Sequence, residues 1–388
     1  MKTLFLLSTL TILVSPAIQA RNYVKDLKTT EKETFSLFDP EDGYFDIGSF
    51  LDKPYGFYPM AMPITEPAVG YGAATVPVFI KRPEGQKRPN FYAAGAMKTE
   101  NGTEGIFGGY AGYHFDEKLH IQSFITTTSV NLDFHGLGSS LIPGGRSLQY
   151  NLDLTGAQLG GNWQIANSPW KVGMHYFYGT VEASLNRSSD ATLLPPQLDL
   201  PTLGKETTFS SIKTSVLYDT RDNIFTPTKG QFSELSTTWN DTMLGASDNF
   251  QILNLQTIQY KPLIKDTLYL GLQAKAAHSF GDTPFYRQPF IGLRGAPAMR
   301  YQGEAVVEAE AELRWQVHPR WGILGFAGIG AVSNDFARWS SSETIATGGV
   351  GLRYLISRRH GMHAGVDLAF SEESEAIYIQ FGSAWMRP

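Results

Sequence analysis

The side chains best suited to chemistry stand in one short run near the C-terminal third of the chain. Its charged members occupy every second position: Glu308, Glu310, Glu312 and Arg314. The intervening positions are apolar: Ala309, Ala311, Leu313 and Trp315. A period of two is the geometry of a β-strand, whose successive side chains point to opposite faces. One face of the predicted strand therefore carries carboxylates that can accept charge-assisted hydrogen bonds from a guanidinium, or pack against other charges.

Enzymatic chemistry finds little support elsewhere in the sequence. The chain has no cysteine, which excludes thiolate catalysis, zinc-thiolate sites and a disulfide framework. Its eight histidines do not show metal-ligand spacing, because His360 and His363 are separated by a turn. No Gly-x-Ser-x-Gly elbow occurs, and no helix follows the glycine-rich pieces as a phosphate-binding loop would require. We expect no enzyme, no metal and no cofactor.

The alternating pattern recurs along most of the chain. The clearest examples lie at 211–218, 350–354, 362–370 and 377–385. A transmembrane barrel shows this pattern in nearly every strand, with lipid outside and a polar lumen inside. The alternative is a soluble pair of β-sandwiches. Proteins that bind nucleic acids are usually basic, so the net charge of −5 argues against a nucleic-acid partner.

The chain divides into three parts. Residues 1–20 resemble a secretory signal peptide, with Lys2 before an apolar stretch and Ala20 before the expected cut. Residues 21–55 are polar and are expected to form a periplasmic lead or a short plug in the lumen. Residues 56–388 are expected to form the barrel. No later stretch is apolar enough for a membrane helix, which excludes a helical membrane protein.

Sixteen antiparallel strands are predicted, which places both termini in the periplasm. Their expected positions are 57–66, 69–80, 90–98, 104–115, 119–133, 147–165, 169–186, 205–219, 230–240, 248–260, 267–280, 304–316, 321–333, 345–356, 362–370 and 375–385. Compact connections alternate with longer ones at 134–146, 187–204, 281–303 and 334–344. This asymmetry is typical of outer-membrane barrels, whose periplasmic turns are short and whose extracellular loops are longer.

A turn motif separates two of these strands. Its members bond to nearby backbone or permit a tight bend: Asp219, Arg221, Asp222, Asn223, Pro227 and Gly230. As local structure this is a capped periplasmic turn. The motif also resembles the Asp-Thr-Arg-Asp-Asn turn of the BamA/TamA-type superfamily of outer-membrane assembly and secretion barrels, the bacterial surface antigen family.

The long loop at 281–303 carries a second resemblance. In that superfamily an extracellular loop folds into the lumen and docks the arginine of an Arg-Gly-aromatic motif on acidic residues of the wall. Arg294 and Gly295 match this motif, while Ala296 replaces the aromatic residue. The resemblance implies Glu312, with Glu310 beside it, as the acidic partner. A second acid of the family is absent, because Gly328 stands at its position.

The C-terminal strands carry a third resemblance to that superfamily. The resemblance is good over residues 205–385, whereas residues 56–204 resemble the superfamily only in their alternating pattern. Tyr378, Phe381 and Trp385 are expected to form the aromatic signal that the assembly machinery reads when the barrel itself is inserted. The residues before the first strand are too few for the periplasmic POTRA repeats of the larger relatives. The resemblance therefore leads us to expect a short, POTRA-less member of that superfamily.

The first strand contains Pro59 and Pro63, which cannot donate to a β-ladder, and Gly382 would permit a bend near the end of the last strand. These residues predict a weak seam between the first and last strands, unless the prolines precede the true first strand. The resemblance implies a role in outer-membrane protein or lipid biogenesis, by insertion or translocation, in the outer membrane of a Gram-negative bacterium. Membrane lipids are expected partners, the client being unspecified. The alternatives are a passive channel and a structural surface protein.

Overall fold

The computed structural model describes the part of the chain from Ser36 to Trp385, with several gaps. The described residues are 36–51, 55–81, 83, 86, 88, 90–137, 140–141, 147–185, 204–334, 339 and 342–385. The predicted signal peptide at 1–20 lies outside them, as do much of 21–55 and most of the loop at 187–204. Among the described residues, no helix is long and apolar enough to cross a bilayer.

Sixteen antiparallel strands form one sheet, as the alternation predicted. Eight strands precede the turn motif: β1 Tyr55–Ile64, β2 Gly72–Lys81, β3 Asn90–Thr99, β4 Glu104–His114, β5 Leu119–Phe134, β8 Leu148–Gln164, β9 Trp170–Leu185 and β10 Glu206–Asp219. Eight follow it: β11 Gly230–Asn240, β12 Phe250–Ile264, β13 Leu268–Gly281, β14 Ala305–Gln316, β15 Trp321–Ser333, β16 Glu343–Ser357, β17 Met362–Ser371 and β18 Glu375–Phe381. A small hairpin, β6 Gly136–Leu137 with β7 Ser140–Leu141, lies in the connection after β5.

Each strand pairs with its neighbours in chain order, apart from the two ends of the sheet. In the described structure β1 forms a ladder with β2 and β18 forms one with β17, and no ladder joins β1 to β18. The sheet curls into a transmembrane barrel, with β1 and β18 as its open seam. The helical elements named within the described residues are short: α1, Gly48–Leu51, and two 3-10 turns at Thr242–Leu244 and Phe285–Arg287.

The outer surface is apolar at mid-height, and pairs of aromatic rings lie at the rim of the short turns. Ile329 and Ile125 leave more than 60% of their surface exposed, which suits contact with lipid. Ring pairs lie beside the short turns: Phe115 with Trp163, Trp170 with Tyr218, and Trp321 with Tyr354. Aromatic girdles of this kind mark the membrane interfaces of outer-membrane barrels. Because short turns face the periplasm in such barrels, this rim is the periplasmic one.

Strand boundaries confirm the predicted positions within a few residues, with one informative exception. The last strand ends at Phe381 rather than at residue 385. Gly382 then adopts a φ of +82°, a left-handed conformation that redirects the chain away from the ladder. The extension of the last strand to 385 was therefore wrong. Pro59 and Pro63 both lie within β1, where the ladder pairs them with Pro77 and Ala73.

The lumen is not uniformly polar, which corrects the expectation for the inner face. Inward side chains of β2–β5, β8 and β9 form an apolar wall that includes Val76, Val78, Phe91, Val130, Leu132, Leu152, Leu154 and Val181. Inward side chains of β14–β17 form a charged wall that includes Glu308, Glu310, Glu312, Arg314, Arg353 and Asp367. The loop between β13 and β14, residues 282–304, lies between these two walls.

Candidate functional site: a loop docked in the lumen

Arg294 lies at the centre of the charged wall. Its Nε and Nη2 donate to Glu310 Oε1 at 2.9 and 2.6 Å, and its Nη1 donates to Asp367 Oδ2 at 2.9 Å. Nη2 also lies 2.9 Å from Glu312 Oε2, an ion pair without hydrogen-bond geometry. The guanidinium carbon lies 3.7 Å from the centre of the Phe326 ring. A planar guanidinium supports several bonds and a stacked ring at once.

The three acidic residues come to Arg294 from two separate strands. Glu310 and Glu312 occupy alternate positions of β14, so both point inward, and both are buried. Asp367 belongs to β17, is fully buried, and also accepts from Arg353 Nη1 at 2.5 Å and Nη2 at 2.9 Å. Arg294 therefore joins two parts of the wall that are three strands apart.

Gly295 allows the loop to turn beside the wall. Its φ is +90°, and a Cβ at this position would stand 3.2 Å from the Phe370 carbonyl oxygen. Its N–H donates to Tyr378 Oη at 3.1 Å, and its carbonyl accepts from Ser371 Oγ at 3.0 Å. Tyr378 thus points into the lumen and contacts the loop. A side chain at residue 295 would require both the wall and the backbone to move.

Ala296 stands where an aromatic residue was expected, and it is fully buried. Its neighbours are apolar residues of the loop and wall: Ile291, Leu293, Tyr301, Val306, Val332 and Ile345. Leu293 also explains Gly328, because a Cβ at residue 328 would stand 3.0 Å from Leu293 Cδ2. Leu293 thus lies against the position where the second acid was sought. Asp367 supplies an acid from two strands further on.

The C-terminal segment, residues 382–385, also contacts the charged groups around Arg294. Trp385 is buried inside the barrel, and its Nε1 donates to Glu310 Oε1 at 2.8 Å. Ser383 Oγ lies 2.9 Å from Tyr260 Oη, and the Ser383 N–H donates to the Phe225 carbonyl at 2.6 Å. Phe381 is the last residue of the ladder and is 37% exposed. The predicted aromatic signal is therefore split, with Phe381 on the lipid side and Trp385 in the lumen.

The rest of the loop packs on the apolar wall. The Phe285 ring centre lies 5.1 Å from that of Phe134 and 5.2 Å from that of Tyr150. Met299 is buried against the same wall, with its sulfur 3.9 Å from Tyr150 Oη. Both ends of the loop thus bury apolar side chains, while its middle carries the arginine.

The turn motif reaches well beyond its own two strands. Asp219 accepts from Arg221 Nε at 2.9 Å and Nη2 at 3.0 Å, and Asp222 Oδ1 accepts from Thr228 N at 3.0 Å. Gly230 has a φ of +100°, as a tight bend requires. These contacts cap the turn locally.

Asn223 gives the turn motif its long reach. Its side-chain oxygen accepts from the N–H of Phe225 at 2.7 Å, while its Nδ2 donates to the His360 carbonyl at 2.7 Å. Arg314 Nη2 donates to the Pro227 carbonyl at 2.9 Å. The motif is therefore bonded to β14 and to the β16–β17 turn across the periplasmic mouth. The sequence pattern indicated only the local contacts of the motif.

Chemically, the arrangement fixes a loop in place. In the described part of the chain, no three His, Asp or Glu side chains are placed so that they could hold a metal ion, and the carboxylates around Arg294 bind the guanidinium instead. Asp367, Arg353 and Phe326 belong to the site, and the sequence pattern alone did not assign Asp367 and Arg353 to it. The signal was present, because both fall on the inward phase of their strands, but no motif joined them to Arg294.

Comparisons with known proteins agree with this architecture. Residues 144–370 match the model of the Omp85 superfamily domain, and the chain belongs to this superfamily. No curated protein matches the chain significantly.

Solved structures show the same fold at low sequence identity. BamA from Haemophilus ducreyi lacking POTRA domains 1–3 has a TM-score of 0.55 and 12% identity, over 84% of this chain and 69% of that one. CdiB from Escherichia coli has a TM-score of 0.56 and 11% identity, over 86% of this chain and 68% of that one. At these identities the likeness supports the fold alone.

Proposed function

We propose that the protein acts in the biogenesis of the outer membrane, inserting or translocating a protein or lipid client through the seam between β1 and β18. The observation that carries this proposal is the pair of sheet edges that share no ladder in the described structure. An unpaired edge presents backbone donors and acceptors that an incoming strand can pair with. A client strand could therefore add to β1 or β18 before it leaves into the lipid.

Local features of both edge strands support an opening there. Pro59 and Pro63 each remove one backbone donor from β1. β18 has 7 residues, whereas β5 in the middle of the sheet has 16. Gly382 turns the chain away directly after β18, which shortens the edge available for closure. Any ladder that formed between these two edges would be short and would lack donors, so opening it would cost less free energy than opening one of the long ladders.

The docked loop disfavours the alternative of a passive pore. A solute would have to pass residues 282–304, which contact both walls through Phe285 and Arg294. A lateral route through the seam leaves these contacts in place. A structural surface protein would not need an open seam.

A disulfide across the seam tests the proposal, and the absence of native cysteine makes this straightforward. Ala61→Cys in β1 is combined in turn with Ile377→Cys, Ile379→Cys or Phe381→Cys in β18, and the pair that crosslinks is retained. The matched control is Thr214→Cys with Thr237→Cys, whose hydroxyls lie 2.9 Å apart on the β10–β11 ladder. Activity is the rate at which proteoliposomes accelerate insertion of a small outer-membrane barrel, and in parallel phospholipid transfer.

We expect the seam disulfide to abolish the activity, reduction to restore it, and the control disulfide to leave it unchanged. Equal activity of oxidised and reduced seam variants would refute the lateral mechanism. Steady ion flux through the locked protein would instead support the passive channel. The absence of both activities and of any flux would favour a structural role.

A further inference from the structure

The described N-terminal residues form a compact unit at the periplasmic rim, which we call the rim segment, residues 36–51. A bridge joins Phe38 to Phe45 in antiparallel fashion. Within the turn between them, the Gly43 N–H donates to the Asp39 carbonyl at 2.8 Å, and Gly43 has a φ of +71°. The rim segment ends in α1. It was expected to be a periplasmic lead or a plug, and its position is the rim.

One buried arginine holds the rim segment by its acidic side. Arg320, in the β14–β15 turn, leaves only 1% of its surface exposed. Its Nε donates to Asp42 Oδ2 at 2.6 Å, its Nη1 to Asp46 Oδ2 at 2.7 Å, and its Nη2 to Asp39 Oδ2 at 2.8 Å. A guanidinium that bonds three carboxylates at once fixes their relative positions.

Further bonds attach the rim segment to the β16–β17 side. The Ile47 N–H donates to the Ile356 carbonyl at 2.9 Å, and Asp46 Oδ2 also accepts from the Arg358 N–H at 2.9 Å. The hydrogen bond from Arg320 is the largest influence on Asp42 and, despite the opposing effect of burial, lowers the pKa of that carboxyl. Asp39, Asp42 and Asp46 are therefore directed at the protein and paired there, while Glu41 stays largely exposed.

The opposite side of the rim segment is apolar and uncovered. Phe38 is 58% exposed, Tyr44 43% and Phe45 42%. The rings of Phe38 and Phe45 meet edge to face, with centres 6.5 Å apart. Exposed aromatic residues grouped on one side of a short segment are unusual on a surface that faces only water.

This apolar side continues the aromatic girdle of the barrel. Tyr354 Oη donates to the Phe45 carbonyl at 2.8 Å. Tyr354 in turn packs on Trp321, with ring centres 4.7 Å apart, and both belong to strands whose neighbouring outward residues face lipid. Tyr44 lies edge-on to His318 of the adjoining turn. The rim segment thus contacts the girdle through Tyr354 and the adjoining turn through His318.

We propose that the rim segment contacts the membrane. It places Phe38 and Phe45 in the headgroup region of the periplasmic leaflet, while Arg320 holds its acidic side. The partner is the lipid surface itself. Aromatic rings are favoured at this interface because they combine apolar area with tolerance of a wet boundary. The rim segment enlarges the contact between the barrel and the membrane on the side of β14–β17.

The experiment uses single cysteines in the full chain, labelled with a bimane fluorophore and reconstituted in vesicles of phosphatidylethanolamine and phosphatidylglycerol. Quenching is compared between a lipid with a nitroxide near the headgroup and aqueous iodide. Phe38→Cys is the test position. Glu41→Cys is the matched control in the same segment, because its side chain is 76% exposed and bonds Arg358. Ile329→Cys, in lipid-facing mid-strand, is the control for full lipid exposure.

We expect the lipid nitroxide to quench the label at residue 38 strongly and iodide to quench it weakly, with the reverse at residue 41. Arg320→Gln should abolish the lipid quenching at residue 38. Heat-resistant migration of the barrel on electrophoresis shows whether this variant still folds, and Asp42→Asn replaces it if it does not.

Two results would overturn the proposal. One is a label at residue 38 that iodide reaches as readily as it reaches residue 41. The other is protection from iodide without lipid quenching, in proportion to the protein density in the vesicles. That outcome would assign the apolar side to contact with a second copy of the chain.

Discussion

The apolar wall of β2–β5, β8 and β9 and the charged wall of β14–β17 hold the same loop in different ways. At the apolar wall, Phe285 and Met299 pack among aliphatic and aromatic side chains, and only the shapes of these side chains restrict their orientation. The charged wall binds Arg294 through hydrogen bonds at fixed angles. Burial of apolar surface is non-directional, whereas hydrogen bonds specify geometry.

This difference assigns separate tasks to the two walls. The apolar wall contributes to the free energy of closing the lumen, and small shifts of the loop along it cost little. The charged wall determines where the loop stops, because three carboxylates would be left buried and underpaired if Arg294 moved away. We therefore expect substitutions on the charged wall to have the larger effects.

Arg294→Glu should have the largest effect. It places a fourth carboxylate among Glu310, Glu312 and Asp367, and loss of one partner from a buried ion network costs about 3–5 kcal/mol. The urea midpoint of unfolding in detergent should fall and the loop should leave the wall. Arg300→Glu is the matched control in the same loop: Arg300 is also buried, but its partner Glu373 is 48% exposed and can be hydrated when the pair is lost, so we expect a smaller loss. Equal losses in the two variants would contradict the distinction.

Phe285→Ala tests the apolar wall. The substitution removes a ring that packs between Phe134 and Tyr150, and it should lower the free energy of unfolding by roughly 3 kcal/mol. Because Arg294 still anchors the loop, the loop should remain docked. Limited proteolysis measures docking separately from stability. Rapid cleavage between residues 282 and 304 in this variant would show that apolar packing, not Arg294, fixes the loop.

Trp385→Phe should have a smaller effect. It keeps the ring in place but removes the hydrogen bond to Glu310, which as a bond to a charged group contributes about 1.5–3 kcal/mol. The change is measured as a shift in the urea midpoint. A loss as large as that of Arg294→Glu would mean that the C-terminal segment, rather than the loop, organises the charged wall.

The two walls also differ in how far they could be predicted from the sequence. Period-two alternation was sufficient to predict the number of strands. It also predicted the inward orientation of Glu310 and Glu312, because side-chain direction follows from strand geometry alone. The match of Arg294 and Gly295 to a family motif indicated which loop enters the lumen. The apolar wall was missed because inward apolar residues and lipid-facing ones have the same composition.

Other features depended on contacts between residues distant in sequence. Asp367 lies 73 positions after Arg294, and nothing local marks it as the replacement for an acid at Gly328. The burial of Trp385 follows from one left-handed residue, Gly382, and alternation continued through that position gave the wrong strand end. The partners of Arg320 in the rim segment precede it by 274 to 281 positions in the sequence, and no sequence pattern spans such a distance.

Single-channel conductance in planar bilayers would show whether the docked loop closes the lumen. Wild type is compared with a variant that lacks residues 282–303. We expect a nearly closed wild type and a large, steady conductance in the deletion variant, with Arg294→Glu in between. A wild type that conducts steadily, and whose conductance the deletion barely changes, would refute closure by the loop and identify the protein as a pore.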